Sequence, residues 1–255
     1  MIEKLIRDFS FWIYLGIQIL IKYYMKIKLK LTIILLICFC TSANAQSRDN
    51  YNMWFQYLMS ARLTDKSTLT ALSQYRSFDL AYDTRLFLVS AYVDYEIAND
   101  VKPAAGFMFL VLDSYKSDNS KKERYEKRPF QQVSLGGNIG RTSISHRFRV
   151  EERFISNPDE FIVRLRYLIS LRIPFNKAGE KEKFYGILKN EIRMNVVKED
   201  PFDSNRLTAG IGIKTGKNSA IEVAFINQLE TGSTSNYGYI GFRNSFDWRK
   251  KEKNR

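Results

Sequence analysis

Charge recurs at every second position in neighbouring stretches of this chain. Arg147, Arg149, Glu151 and Arg153 follow Ser145 at a spacing of two, and the residues between them include Ile144, Phe148, Val150 and Phe154, with His146 and Glu152 as exceptions. Arg164, Arg166, Ser170 and Arg172 alternate in the same way with Phe161, Val163, Leu165, Tyr167, Ile169, Leu171 and Ile173. Lys189, Glu191 and Arg193 extend the set. Guanidinium groups gathered on one surface can do two things. Rings of Arg or Lys favour anions, which would make an anion-selective or acidic-sugar pore. Alternatively, Arg and carboxylate neutralise one another in bidentate pairs and plug the space. Arginines outnumber Glu151 and Glu191 here, so a positive surplus remains and both outcomes stay open.

Other chemistry is thinner. His146 is the single histidine and stands beside Ser145. Acyl hydrolases use a Ser–His pair, so a lipid-modifying enzyme must be weighed. Adjacent strand residues face opposite sides, so the serine would have to come from across a sheet, as Ser170 or Ser134 could. Neither sits in a nucleophile motif. The competing reading leaves His146 on a membrane face near an aromatic belt, and no enzymatic activity is expected. Asp94-x-Glu96 and Asp159-Glu160 lack a full calcium-loop motif and read as turn acids, so no metal or cofactor is expected. Lys121-Lys122-x-Arg124 and Lys127-Arg128 could grip lipopolysaccharide phosphates; the plainer reading is an exposed charged loop over about 114–127.

The elements that position these residues have period two. In a strand such alternation gives one apolar wall and one cationic wall, whereas on a helix the charge would scatter. Besides the two arginine segments, candidate strands fall at about 51–63, 66–77, 84–96, 101–113, 128–139, 183–195, 203–215, 218–229 and 235–247. The punctuation includes Asn99-Asp100, Gly136-Gly137-Asn138, Asn157-Pro158-Asp159, Thr215-Gly216-Lys217-Asn218 and Thr231-Gly232-Ser233. With 45% apolar, 26% charged and 14% aromatic residues, the chain is neither disordered nor a helical membrane bundle. Segments this long exceed sandwich strands and suit a tilted crossing of a bilayer.

The expected fold is an all-β, antiparallel up-and-down transmembrane barrel. Tyr51, Trp54, Tyr75, Tyr92, Tyr237 and Trp248 at strand ends fit an interfacial girdle. A soluble lipocalin-like barrel in the periplasm stays open, because alternation does not say which wall is outside. Direct counting gives eleven segments. Single-chain bacterial barrels are usually even in number, so twelve strands are expected, with ten the alternative.

Met25-Lys26-Ile27-Lys28-Leu29-Lys30, an apolar run from Leu31 to Cys40 and then Thr41-Ser42-Ala43-Asn44-Ala45-Gln46 have the layout of a cleavable signal peptide. The expected organisation is an upstream extension or misassigned start over 1–24, the signal over 25–45, the barrel over 46–248 and a basic tail over 249–255. Of 40 Lys+Arg and 27 Asp+Glu, six and two precede Gln46, so the mature chain keeps a net +9. Cys38 and Cys40, the two cysteines, would leave with the signal. Export points the charge towards anionic lipid head groups or acidic solutes, and away from nucleic acid.

Several segments resemble a family of bacterial outer-membrane barrels known only as a domain of unknown function. His146-Arg147-Phe148-Arg149-Val150-Glu151-Glu152-Arg153-Phe154 is similar to its His-Arg-x-Arg-x-Glu-x-Arg strand. Glu126-x-Arg128 with Phe130-Gln131-Gln132, Arg164-x-Arg166-Tyr167, Asn190-Glu191, Phe202-Asp203-x-Asn205-Arg206 with Gly210-x-Gly212, and Asn227-Gln228 follow the family's order, over about Trp54 to Phe246. The resemblance implies an outer-membrane barrel and supplies no activity. One departure is that Phe246 and Trp248 are followed by Arg249-Lys250-Lys251-Glu252-Lys253-Asn254-Arg255, where such barrels commonly end on an aromatic residue.

The sequence therefore predicts a porin-like outer-membrane barrel of a Gram-negative-type cell, a narrow channel or a binding barrel. Its expected partners are outer-membrane lipid, anionic small solutes and, during insertion, the barrel-assembly machinery. The sequence leaves the oligomeric state open. A plugged structural barrel and a lipid-modifying hydrolase are the alternatives.

Overall fold

The computed structural model describes residues 52–80, 82–115, 120–176, 179–196 and 200–249. The segments 1–24 and 25–45, and the tail beyond Arg249, lie outside the described residues.

Eleven strands form among the described residues: β1 (Met53–Arg62), β2 (Ser67–Ser77), β3 (Thr84–Tyr95), β4 (Val101–Tyr115), β5 (Lys121–Ile139), β6 (Thr142–Ser156), β7 (Glu160–Pro174), β8 (Phe184–Asn195), β9 (Phe202–Lys214), β10 (Ser219–Glu230) and β11 (Ser233–Asp247). Each pairs antiparallel with its chain neighbours, and β1 closes the barrel on β11. The count is the eleven that alternation alone gives, and the expectation of twelve from parity is corrected. Every hairpin reverses the chain, so an odd number leaves β1 and β11 running the same way. Their seam is accordingly parallel, from Met53 beside Gly238 to Arg62 beside Asp247. Closure removes both sheet edges and satisfies the backbone within the wall, as hydrocarbon requires.

The seam has a direct test. Phe55 lies opposite Ile240, and adjacent strands hold paired residues within disulfide reach. Phe55→Cys combined with Ile240→Cys is expected to crosslink under mild oxidation and to give a gel shift that reductant reverses. A crosslink from Phe55→Cys to Phe242→Cys instead would reset the register by two.

Two sequence expectations shift here. The charged stretch 114–127 is mostly strand, since β4 runs to Tyr115 and β5 starts at Lys121. Gly136-Gly137-Asn138 lies inside β5, and the chain turns afterwards, where Gly140 has a φ of 60°.

The wall is inverted relative to a soluble barrel. Phe87, Phe107, Phe148, Leu165, Leu207, Ile211, Val223 and Phe225 point outward and are 45–56% exposed, whereas Arg164 is 3% exposed and Glu151 is fully buried. That arrangement, apolar outside and polar within, is the transmembrane one. Polar groups on the outer wall satisfy one another. Asn227 donates to Asn236 at 2.9 Å, and Asn190 donates to Asn205 at 2.9 Å.

The interior is packed partly by tyrosines laid over inward glycines. A Cβ at Gly212 would collide with the Tyr185 ring, and one at Gly241 with the Tyr239 hydroxyl. Trp54, Tyr92 and Tyr237 also point inward, Trp54 packing edge-on against Tyr237 and Tyr239. These three are therefore not part of an interfacial girdle, which corrects that expectation for them; Tyr51 lies outside the described residues, and Trp248 is exposed.

Candidate functional site: an arginine-rich lumen

Strand parity delivers the charges of β5 to β9 to one side of the lumen. Glu151 of β6 is the hub. The Arg164 guanidinium grips it through two nitrogens at 3.1 and 2.7 Å, Arg166 closes on its other oxygen, and Arg149 and Arg128 stand 3.5 and 3.9 Å away. Arg164 lies directly opposite Glu151 in the ladder, so the pair is set by register alone. Glu191 of β8 is a second hub, accepting from Arg166 at 2.7 and 2.8 Å and from Arg147 at 2.9 Å, with Arg206 at 3.6 Å.

Two carboxylates outside the expected lumen set complete the lattice. Glu126 of β5 accepts from Arg128 at 2.6 Å and from Arg153 at 3.1 and 2.9 Å. Asp203 of β9 stands 3.5 Å from Arg164, 3.4 Å from Arg193 and 3.9 Å from Arg153. Its odd number should turn it outward, away from Ser204 and Arg206. A register shift between Arg193 and Met194 inserts one extra residue opposite them and brings Asp203 inside. Simple alternation misses it for that reason. Glu126 and Arg128 are in phase with Phe130; alternation misses Glu126 because 114–127 reads as a loop, and Arg128 because, at the very start of the candidate strand 128–139, it reads with Lys127 as part of a basic surface stretch.

Of the expected lumen residues, Arg147, Arg149, Glu151, Arg153, Arg164, Arg166, Glu191 and Arg193 meet in this lattice. Lys189 lines the same cavity but makes no ion pair among the described residues. Arg172 stands apart, nearer the other rim. It stacks over Tyr185 at 3.6 Å and pairs with Glu182 of the β7–β8 connection at 2.9 Å. Glu182 lies outside the spanning strands. Burial pushes its carboxyl up, but hydrogen bonds from Lys214 and Arg172 outweigh that and hold it below the ordinary range.

Arg206 donates to Gln228, and Arg149 donates to Gln132 through two nitrogens at 2.9 and 2.6 Å. Neutral acceptors thus share these guanidinium groups with carboxylates, since Arg149 also stands 3.5 Å from Glu151 and Arg206 3.6 Å from Glu191. The cavity between these walls measures about 680 Å³; thirteen Arg and Lys side chains and five carboxylates line it, with Glu151 buried beneath.

The structure does not assemble a Ser–His pair from the candidate residues. His146 faces outward between Leu135 and Ile169, and its Nδ1 meets the Tyr167 hydroxyl at 2.8 Å. Ser145 and Ser170 face each other on the opposite side of the wall, and Ser134 lies opposite Arg147. Among the described residues no three His, Cys, Asp or Glu side chains converge as a metal site. Arg124 and Arg128 point into the lumen, so the basic stretch around them is not the exposed loop expected from sequence.

Fold and interior together define a transmembrane β-barrel with a cationic, partly cross-neutralised lumen. Residues 51–238 match the family described as Protein of unknown function (DUF2490), and the chain belongs to that family. Among solved structures, LpxR from Salmonella typhimurium is similar over 76% of this chain and 88% of its own, at 13% identity and a TM-score of 0.44. No curated protein matches.

Proposed function

We propose that the protein is an outer-membrane barrel whose lumen receives anionic solutes. In this reading the segment 25–45 directs export, the mature chain starts at Gln46, and the barrel-assembly machinery inserts the barrel among outer-membrane lipids. The observation that carries it is the excess of cations over carboxylates around the 680 Å³ cavity. A lumen built only as a plug would gain most from equal numbers of opposite charges, because each unmatched buried charge costs solvation energy.

The arginines locked on Glu151 and Glu191 are not the ones that set the field. The groups without an ion pair among the described residues are, and Lys189 is the clearest. Refolded barrel in planar bilayers is expected to pass anions over cations, and inorganic pyrophosphate is expected to block that current. Lys189→Gln should lower the anion-over-cation permeability ratio, because it removes one charge from a cleft whose field concentrates anions. Absence of conductance together with an unfolding midpoint that pyrophosphate does not move would leave the closed structural barrel and overturn the proposal.

A further inference from the structure

The lumen has two unlike walls. Facing the charges of β5 to β9 is a sector of β2, β3 and β4 that carries an aliphatic patch of Leu72, Leu86, Leu88, Met108, Leu110 and Leu112, with Gln74, Arg76 and Arg85 of β2 and β3 as its polar border. They form one cluster with Phe130, the aromatic residue at the boundary with the charged wall. Arg149 stacks over that same Phe130 ring at 4.0 Å, which makes it the hinge between the greasy and cationic sides. β4 offers the lumen no charge along Gly106, Met108, Leu110 and Leu112.

Barrel interiors that serve water or small ions are polar. Apolar surface lining such a space is unfavourable by about 25 cal/mol per Å² while it stays wet. Leu86, Leu88, Met108 and Leu110 bury one another and are 1–6% exposed, so the apolar surface this patch leaves open is mainly that of the half-buried Leu72 and Leu112, which is unexpected if the solutes are small and fully hydrated. It is accounted for if part of the ligand is hydrocarbon. The charged wall asks for an anion at the other part, with donors to spare. The Nε of Arg147 has no hydrogen-bond partner among the described residues, and the Nε of Arg193, in a residue 7% exposed, has none either but faces the Asp203 carboxylate at 3.4 Å. The cavity volume falls in the range of about 300–1,000 Å³ that encloses a whole small ligand.

We propose that the lumen binds a single-chain amphiphile, its carboxylate or phosphate head on the arginine wall and its acyl chain along the leucines of β2 to β4. This rests on the anion-receiving reading above and narrows it to one ligand class. A cavity of about 680 Å³ suits one acyl chain better than two, and the charged wall disfavours cationic or neutral amphiphiles.

Trp54 supplies the reporter. It is 6% exposed inside the lumen, it is bracketed by Arg76 at 3.6 Å and Arg206 at 4.9 Å, and its strand neighbour Arg76 pairs with Leu86. In the mature chain the other indole is Trp248, so Trp248→Phe leaves Trp54 as the sole signal. The barrel is placed in phosphatidylcholine nanodiscs and titrated with a long-chain carboxylate brominated at mid-chain. The expected result is saturable quenching of Trp54. Dodecanoate and dodecyl phosphate should reverse it, and the more effective of the two identifies the head group. Dodecyltrimethylammonium and acetate should not. Brominated phosphatidylcholine, confined outside the wall, should leave Trp54 bright.

Leu88→Phe with Ser90→Phe adds bulk to the apolar wall without touching a charge and is expected to weaken quenching about tenfold while leaving the pyrophosphate block of conductance intact. If brominated carboxylate quenches no more than brominated phosphatidylcholine while pyrophosphate still blocks, the anion lumen stands and the amphiphile proposal falls. If both fail, the leucine sector is a packing core and the two proposals fall together. Quenching that every amphiphile displaces regardless of charge would also overturn the assignment.

Discussion

Glu151→Gln is expected to destabilise the barrel by about 3–5 kcal/mol, the scale of breaking a buried pair from one side. The carboxylate is fully buried and is approached by Arg128, Arg149, Arg164 and Arg166. Glutamine keeps the shape and some hydrogen-bonding capacity but removes the one negative charge those four share. Their mutual repulsion then acts in a medium of low dielectric, where it is several times stronger than in water. The measurement is the urea midpoint of the refolded barrel, read by tryptophan fluorescence and by the heat-dependent gel shift. A structural consequence separates charge from packing. Arg164→Gln on the Glu151→Gln background removes one stranded cation and should restore part of the loss, giving a coupling of about 1–3 kcal/mol in the double-mutant cycle. Glu182→Gln at the rim, with solvent at hand, should cost less than about 1 kcal/mol. Equal losses at both glutamates would mean that the interior is wet enough to screen its own charges.

Much of this lattice is legible in the sequence, and the reason is geometric. In β6 and β7 the period of two is unbroken, and register then sets Glu151 opposite Arg164 and Arg149 opposite Arg166. What stays hidden needs information that alternation does not carry. Asp203 enters through a one-residue insertion that reverses parity. Glu126 and Arg128 belong to a strand whose first half is so rich in charge that it reads as loop up to residue 127, because in a barrel strand charge signals lumen as readily as solvent. Trp54 and Tyr237 read as membrane-surface residues for a similar reason: aromatic residues near a strand end suit both an interface and a stacked guanidinium. The resemblance motifs fare better than single positions. Glu126-x-Arg128, the Arg-x-Arg pairs and Asp203 with Arg206 are far apart in the chain, yet they converge on one network. The even-number rule fails for a different reason. It is a regularity of other barrels, and nothing in hairpin geometry forbids a parallel seam.

Val223→Arg should cost about 2–4 kcal/mol, the penalty for a cation on the lipid face near the bilayer midplane. Val223 sits mid-strand in β10, is 56% exposed, and lies between Ile240 of β11 and Ile211 of β9, both also outward. No described acid is opposite it in the ladder, so the guanidinium would have to reach along the wall to a head group. The same strand provides a depth scale. Ile221, Val223, Phe225, Asn227 and Leu229 share the outer face, and the Asn227–Asn236 hydrogen bond marks where polar groups begin to be tolerated. Arginine at 223 or 225 should therefore be the most damaging, and Leu229→Arg should fall to about 0–1 kcal/mol, as expected near the interface. In a water-facing wall all of these substitutions would stay within about 0.5 kcal/mol, as ordinary surface changes do. A peaked profile of unfolding midpoints along β10 therefore requires hydrocarbon at its centre. A flat one would place water there, and the inward arginines would then need a soluble barrel's explanation, which their burial behind an apolar exterior does not supply.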